Sequence, residues 1–191
     1  MRLTVFEKCR NCQNIEKLLK ILDVEYERKV FKSEKALAQK EFQEKAIYGK
    51  LPLLETTENH YLNNYYSIVF YVASKADIAD LLGKDYHQKA AAQENLLDIK
   101  DIDNAIAKLE MAIKNPEAKN EQDMLYNELN SLFGNLEKRL KYNMFLLGTD
   151  LSYVDILMGF SFKWLDSVSP NAIKLPNIKR VLIFLENSGF L

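Results

Sequence analysis

Two thiols stand three residues apart near the start of the chain, in Phe6-Glu7-Lys8-Cys9-Arg10-Asn11-Cys12. A cysteine attacks only as its thiolate, and cationic neighbours and helix N-termini favour that form. Cys9 lies between Lys8 and Arg10, at the start of an amphipathic segment. Its spacing to Cys12, just ahead of a helix, is that of a redox motif. The proline usual in or near such motifs is absent, so the residues alone favour two incidental thiols over a redox pair. A second candidate is Asp155, in Asp150-Leu151-Ser152-Tyr153-Val154-Asp155-Ile156. The functional reading of this residue is a catalytic carboxylate. The local pattern favours a structural one: Ser152 and Asp155 form a capping box, flanked by Leu151 and Ile156 as a hydrophobic staple. With two histidines (His60 and His87) and two cysteines in the chain, a zinc site has poor support, and both histidines lie in polar surroundings expected to face solvent. No glycine loop of the phosphate-binding type is present.

The elements that must hold these residues change character along the chain. Leu3–Phe6 reads as a short strand. Ile15, Leu18, Leu19 and Leu22 then fall on one face of a helix. Glu25–Phe31 is a second strand by composition. Ser33 is expected to cap a helix over 34–46, whose Lys/Glu alternation marks a solvated face. Gly49 ends that region. Leu51–Thr56 and Tyr61–Leu62 read as strands joined by the polar turn Thr57-Glu58-Asn59, and a helix runs from about Asn64 to Ala76. Beyond it strand signals vanish. Ile99, Ile102, Ile106, Leu109 and Ile113 mark a long helix, interrupted at Asn115-Pro116. Leu125 to Leu140 mark the next. Leu157, Phe160, Trp164 and Val168 mark a third, with Phe160 and Trp164 expected in the core and Phe162 off that stripe, free to face a cleft or a partner. A last short helix covers Asn177–Asn187. The expected organisation is an α/β domain over 1–76, a linker, and an all-helical domain over 86–191.

Composition narrows the function classes. The chain has 191 residues, 48% hydrophobic and 28% charged, with a net charge of −1. Residues 1–75 carry 13 Lys/Arg against 10 Asp/Glu, and the remainder 13 against 17. Positive charge is therefore not clustered as a nucleic-acid surface requires. No apolar run approaches a membrane span, the N-terminus lacks signal-peptide features, and two cysteines are too few for a secreted disulfide framework. A cytoplasmic protein is expected.

The order β-α-β-α-β-β-α followed by helices, with Gly49-Lys50-Leu51-Pro52 and Leu146 to Ile156, resembles the glutathione transferase superfamily over nearly the whole chain. The resemblance implies a thioredoxin-like N-terminal domain and a helical C-terminal domain. It implies that Pro52 is cis and that the backbone of Leu51 pairs with the cysteinyl part of glutathione. It places Asn64 and Tyr65 where such proteins carry an acidic or amide residue followed by serine. There the hydroxyl and the helix N-terminus hold the γ-glutamyl carboxylate. Tyr65 cannot supply a short hydroxyl, and its ring is expected to crowd the carboxylate. The glutathione site of Leu51, Pro52, Asn64 and Tyr65 thus reads as degenerate.

A narrower resemblance rests on Ile68-Val69-Phe70-Tyr71-Val72, Leu81-Leu82-Gly83, Lys89 to Glu94 and the stretch from Leu175 to Leu191. These resemble glutathione-transferase-like proteins of translation, in particular the N-terminal domain of the gamma subunit of elongation factor 1B. That implies a non-catalytic docking module, with other subunits of elongation factor 1B or aminoacyl-tRNA synthetases as protein partners. It implies no required cofactor and no direct nucleic-acid contact. Tyr65, Tyr66 and Tyr71 would lie near a homodimer interface, where tyrosine is favoured. The alternative is a glutathione-dependent transferase or thiol–disulfide oxidoreductase using Cys9 as nucleophile, of the omega-class or glutaredoxin-like kind.

Overall fold

In the computed structural model, which describes residues 1–56, 60–115 and 117–191, the chain divides into two units, Met1–Ala79 and Asp80–Leu191. The first contains β1 (Arg2–Val5), α1 (Arg10–Ile21), β2 (Glu27–Val30), a 3₁₀ helix (Glu34–Ala38), α2 (Lys40–Lys45), β3 (Leu53–Glu55), β4 (Tyr61–Leu62) and α3 (Tyr65–Lys75). The sheet order is β2-β1-β3-β4. β1 runs parallel to β2, with Leu3 opposite Arg28, and antiparallel to β3, with Leu3 opposite Leu54. This is the thioredoxin-like arrangement.

Alternation along the strands gives the unit two apolar layers. Leu3, Val5 and Leu54 share one face and are fully shielded from solvent. Leu53 points to the other face and joins Phe31, Phe42 and Ala46, against which Phe6, Leu51 and Tyr61 pack. The helix expected over 34–46 is two pieces, because Gln39 takes an extended backbone (φ −65°, ψ 131°). Its N–H closes the 3₁₀ helix on Ala36, and its carbonyl accepts the N–H groups of Phe42 and Gln43 to open α2. The break accompanies burial of Phe42 and Ala46 in the aromatic cluster. Ser33 stands at the expected cap position, but its side chain makes no capping bond. The turn expected at Thr57-Glu58-Asn59 lies outside the described residues, as does Pro116.

The second unit is helical: α4 (Tyr86–Ile113), α5 (Lys119–Leu140), α6 (Tyr153–Val168) and α7 (Pro176–Asn187). α4 packs along α5 and α6, and α7 packs on α5 and α6. Its core includes Ile99, Ile102, Ile106 and Leu109 from α4, Leu129, Phe133 and Leu136 from α5, and Ile178, Val181 and Leu185 from α7. α4 begins well before its apolar stripe, where Asp85 caps it by accepting the N–H of Gln88 at 2.8 Å. Leu81, expected in a linker, is buried and accepts the N–H of Tyr153 at 3.0 Å. Two expectations on α6 exchange places. Phe162 does not face a cleft: it is buried, edge-on to Phe133 at 5.9 Å between centroids. Trp164 is only half-buried, because its indole N–H reaches outward to the Glu110 carboxylate at 3.1 Å.

No helix among the described residues is long and apolar enough to cross a membrane.

Candidate functional site

The turn that leaves β1 sets Cys9 at the head of α1. The Cys9 N–H closes on the Phe6 carbonyl at 3.1 Å, and the Cys9 carbonyl accepts the N–H of Gln13 at 3.0 Å to start the helix. The Gln13 side chain donates back to the Glu7 carbonyl at 2.7 Å, tying the turn to the first turn of α1. Cys9 is thus the N-cap residue, and its sulfur accepts the N–H of Cys12 at 3.3 Å. Cysteine is an uncommon cap, since Ser, Thr, Asp and Asn are better acceptors. A sulfur gains acceptor strength as thiolate, so the cap and the charge favour each other.

The electrostatics follow from these contacts. Cys9 is half-buried; Cys12 is fully buried on the inner face of α1. The Cys9 thiol is lowered to about 7, first by the hydrogen bond from the Cys12 thiol, then by the backbone N–H groups of Cys12 and Asn11 and the charge of Arg10. Burial opposes this and does not win. Cys12 is pushed far upward, first because its proton is shared with the Cys9 sulfur and second by burial. One sulfur is therefore poised to ionise at neutral pH while the other holds its proton. Cys9 opens onto a cavity of about 610 Å³ whose wall includes Phe6, Lys8, Val30, Phe31, Lys32 and Ser33. A larger groove of about 1090 Å³ lies elsewhere on the unit, lined by residues such as Glu16, Asp23 and Tyr26, and reaches neither cysteine.

The residues expected to hold a glutathione-like ligand are ordered around the same unit. Leu51–Pro52 is a cis peptide; Leu51 packs on the aromatic cluster that also takes Phe6, three residues before Cys9. Gly49, at φ +58°, makes the preceding turn, a backbone state that suits a residue without Cβ. Asn64 is the N-cap of α3: its side-chain oxygen accepts the N–H groups of Tyr66 at 3.1 Å and Ser67 at 3.3 Å. Tyr65 is buried, and its hydroxyl accepts from the Asn14 amide of α1 at 3.4 Å. Its ring packs edge-on to Tyr66, 4.9 Å between centroids. Leu51 packs on the aromatic cluster whose Phe6 and Phe31 also line the cavity at Cys9, and Asn64 and Tyr65 have partners within the unit itself.

Asn63 is the residue that sequence reasoning passed over. It is buried, accepts the N–H of Tyr48 at 3.0 Å, and donates to the carbonyls of Pro52, at 2.9 Å, and Lys50. One side chain thus ties down the loop that carries Leu51 and Pro52. Its partners lie 11 to 15 residues earlier, so no local pattern announces it. The sequence signal was only that an amide precedes a cap residue that already has the capping role.

In the helical unit Asp155 is fully buried at the third position of α6. Its carboxylate accepts the N–H of Leu146 at 2.8 Å, the N–H of Ser152 at 3.0 Å and the Ser152 hydroxyl. Burial nevertheless raises it to about 6, with these bonds pulling the other way. Both carboxylate oxygens are engaged by structural donors, so the carboxylate is a cap that also pins the 145–148 turn. His60 and His87 are exposed. Among the described residues no group of three His, Cys, Asp or Glu is placed to hold a metal ion.

Comparison with known proteins agrees with this architecture. Residues 102–186 match the family described as glutathione S-transferase, C-terminal domain. No curated protein matches the sequence. Among solved structures, a glutathione S-transferase domain-containing protein of Marinobacter aquaeolei is 14% identical with a TM-score of 0.80, covering 100% of both chains. A glutathione S-transferase of Pichia kudriavzevii is 18% identical with a TM-score of 0.77, over 98% of this chain and 92% of that one. A glutathione S-transferase of Methylobacillus flagellatus, solved with GSH bound, is 16% identical with a TM-score of 0.77, over 99% of this chain and 96% of that one. The chain therefore has the glutathione transferase fold: a thioredoxin-like N-terminal domain and a transferase-type helical C-terminal domain.

Proposed function

We propose that this protein carries out thiol–disulfide exchange, with Cys9 as the nucleophile and the cavity beside it as the substrate site. The observation that carries the reading is the Cys9 sulfur at the head of α1, half-buried on the cavity wall and accepting the N–H of Cys12. Such placement stabilises the thiolate without removing it from reach, as nucleophilic catalysis by a thiol requires. In the step proposed, the Cys9 thiolate attacks one sulfur of a disulfide R–S–S–R′. A bond forms between Cys9 and RS, the S–S bond breaks, and R′S⁻ leaves with the electron pair. The α1 N-terminus and Arg10 hold negative charge at the attacking sulfur, while Phe6 and Phe31 shield the cavity wall. Glutathione is one thiol that such a site can take, as the GSH-bound structure of similar fold suggests. The expected site of action is the cytoplasm.

The test is a single-turnover reaction of the reduced chain with an aromatic disulfide whose released thiol absorbs light. The reading expects a rapid burst from the wild type that vanishes in Cys9→Ser. An equal burst in that variant would show that Cys9 is not the nucleophile.

A docking role in translation, with protein partners such as subunits of elongation factor 1B or aminoacyl-tRNA synthetases, is the second reading. Its support is the outer face of α3, where Phe70 is exposed. With Tyr65 buried, that face is smaller than the three tyrosines suggest. Partner capture unaffected by Cys9→Ser, with no exchange activity, would favour it.

A further inference from the structure

α5 and α7 hold each other's ends. The Glu137 carboxylate of α5 accepts the N–H groups of Asn177 and Ile178 at the start of α7, each at 2.9 Å, where Leu175 supplies no side-chain cap. In return the Arg180 guanidinium of α7 donates to the carbonyls of Leu140 at 3.1 Å, Asn143 at 2.8 Å and Met144 at 3.0 Å, where α5 ends. These bonds satisfy helix-end groups that would otherwise turn to water, and they fix the segment 140–144 against α7.

The surface fixed in this way is apolar and cationic. Tyr142 is 82% exposed, Met144 56%, Ile183 58% and Phe184 43%. Phe184 stands edge-on to the buried Phe145 at 5.1 Å between centroids, which joins the α7 residues to the turn after α5. Single apolar residues are ordinary on a surface; four on two braced pieces of backbone form a patch. Lys138, Lys141 and Lys179 are exposed beside it. Lys141 lies over the Tyr142 ring at 5.2 Å. The carboxylates on this side are already engaged, Glu137 at the head of α7 and Glu186 with Lys163. The cations therefore face outward uncompensated.

We propose that this face of α5 and α7 docks an acidic amphipathic helix of another protein. The apolar side of that helix rests on Tyr142, Met144, Ile183 and Phe184, and its carboxylates turn to Lys138, Lys141 and Lys179. Amphipathic helices bind such surfaces through apolar anchors at helical spacing. A braced surface also lowers the ordering cost of binding. The exchange reading plays no part, since Cys9 belongs to the other unit.

Charge selects this occupant over others. Residues 76–191 carry 13 Lys/Arg against 17 Asp/Glu, so the cationic face is local. A short segment senses charges within about 8–10 Å, and meets the lysines alone. A bilayer or a nucleic acid extends beyond the patch and meets the acidic excess. A second copy docked by the same face sets lysine against lysine.

The experiment titrates the full reduced chain into a fluorescein-labelled, Glu-rich amphipathic peptide with Leu and Phe at helical spacing, read by anisotropy. One control peptide replaces Glu by Lys; another replaces Leu and Phe by Ser. The Glu peptide is expected to bind about tenfold tighter than either control, and more weakly as salt is raised. Lys179→Glu and Ile183→Ser are each expected to weaken it about tenfold at an unchanged thermal midpoint, because both side chains are exposed. Lys141→Glu gives a second charge reversal if Lys179→Glu does not fold. Cys9→Ser is expected to bind as the wild type does, and lost binding there would place the site elsewhere and overturn the proposal. No binding of the Glu peptide, equal binding of the Lys peptide, or binding indifferent to Lys179→Glu and Ile183→Ser would also overturn it. Tighter binding to phosphatidylserine vesicles than to the peptide would replace the partner by a membrane. A dimer in sedimentation that Ile183→Ser dissolves would replace it by a second copy.

Discussion

A thiol lowered to about 7 is about half ionised at neutral pH, whereas an ordinary cysteine is mostly protonated there. The rate of Cys9 alkylation by iodoacetamide is therefore expected to rise with a midpoint near pH 7. Because the Cys12 thiol is the largest cause of the shift, Cys12→Ala is expected to move that midpoint upward, toward the ordinary range. An unmoved midpoint would mean that the helix and Arg10 act alone. Asp155 shows the opposite case, a carboxyl raised to about 6 by burial. Its folded-state value exceeds its unfolded one, so its contribution to stability is full below about pH 4 and is lost as pH rises through 6. The loss amounts to roughly 2–3 kcal/mol. Asp155→Asn removes this titration. The stability advantage of the wild type over that variant, from urea denaturation, is expected to narrow between pH 4 and 7. A widening gap would reverse the sign. The variant is also expected to be the less stable protein by about 2 kcal/mol, since one amide oxygen cannot serve both the Leu146 and Ser152 N–H groups.

At the scale of elements, the loop before β3 depends on one side chain from the end of β4. Asn63 serves one N–H and two carbonyls there, all from the loop 48–52. Asn63→Ala is expected to cost about 2–3 kcal/mol, by stranding buried backbone groups. Asn63→Asp is expected to be at least as damaging, because a carboxylate faces the Lys50 and Pro52 carbonyls without a proton to offer. Thermal or urea midpoints for the two variants check this; an Asp variant as stable as the wild type would contradict the assigned hydrogen bonds. The same loop shows where sequence pattern stops being informative. Helical periodicity located α1, α5, α6 and the C-terminal part of α4, and the capping box at Ser152 and Asp155 was legible because all its members lie within four residues. Asn63 was not legible, because its partners are remote in sequence. The division of the helix at Gln39 was hidden for a related reason: the local sequence is compatible with one helix, and the aromatic cluster around Phe31 determines otherwise. Phe162 and Trp164 exchanged places because a polar indole N–H found Glu110, a residue on another helix.

At the scale of the molecule, fold and function separate. Identities of 14–18% to glutathione transferase structures establish the architecture and leave the chemistry to the site. Fold class was readable from the switch between strand-and-helix alternation and helices alone. The state of the two cysteines was not, since it depends on the turn that makes Cys9 a cap and on the burial of Cys12. The residues alone favour incidental thiols; the structure makes Cys9 an N-cap that accepts the Cys12 N–H, and the nucleophile role is the reading proposed from that placement. Lys8 and Lys32 line the cavity together with Glu7, and the charge of Arg10 bears on the Cys9 sulfur. The most direct test of Cys9 as an exchange nucleophile is steady-state disulfide reduction by the full chain, regenerated by a dithiol and measured across pH. The account predicts turnover well above the uncatalysed reaction, an acid limb with its midpoint near pH 7, and loss of turnover in Cys9→Ser. Turnover that is unchanged in that variant, or that never exceeds the uncatalysed rate, would contradict it.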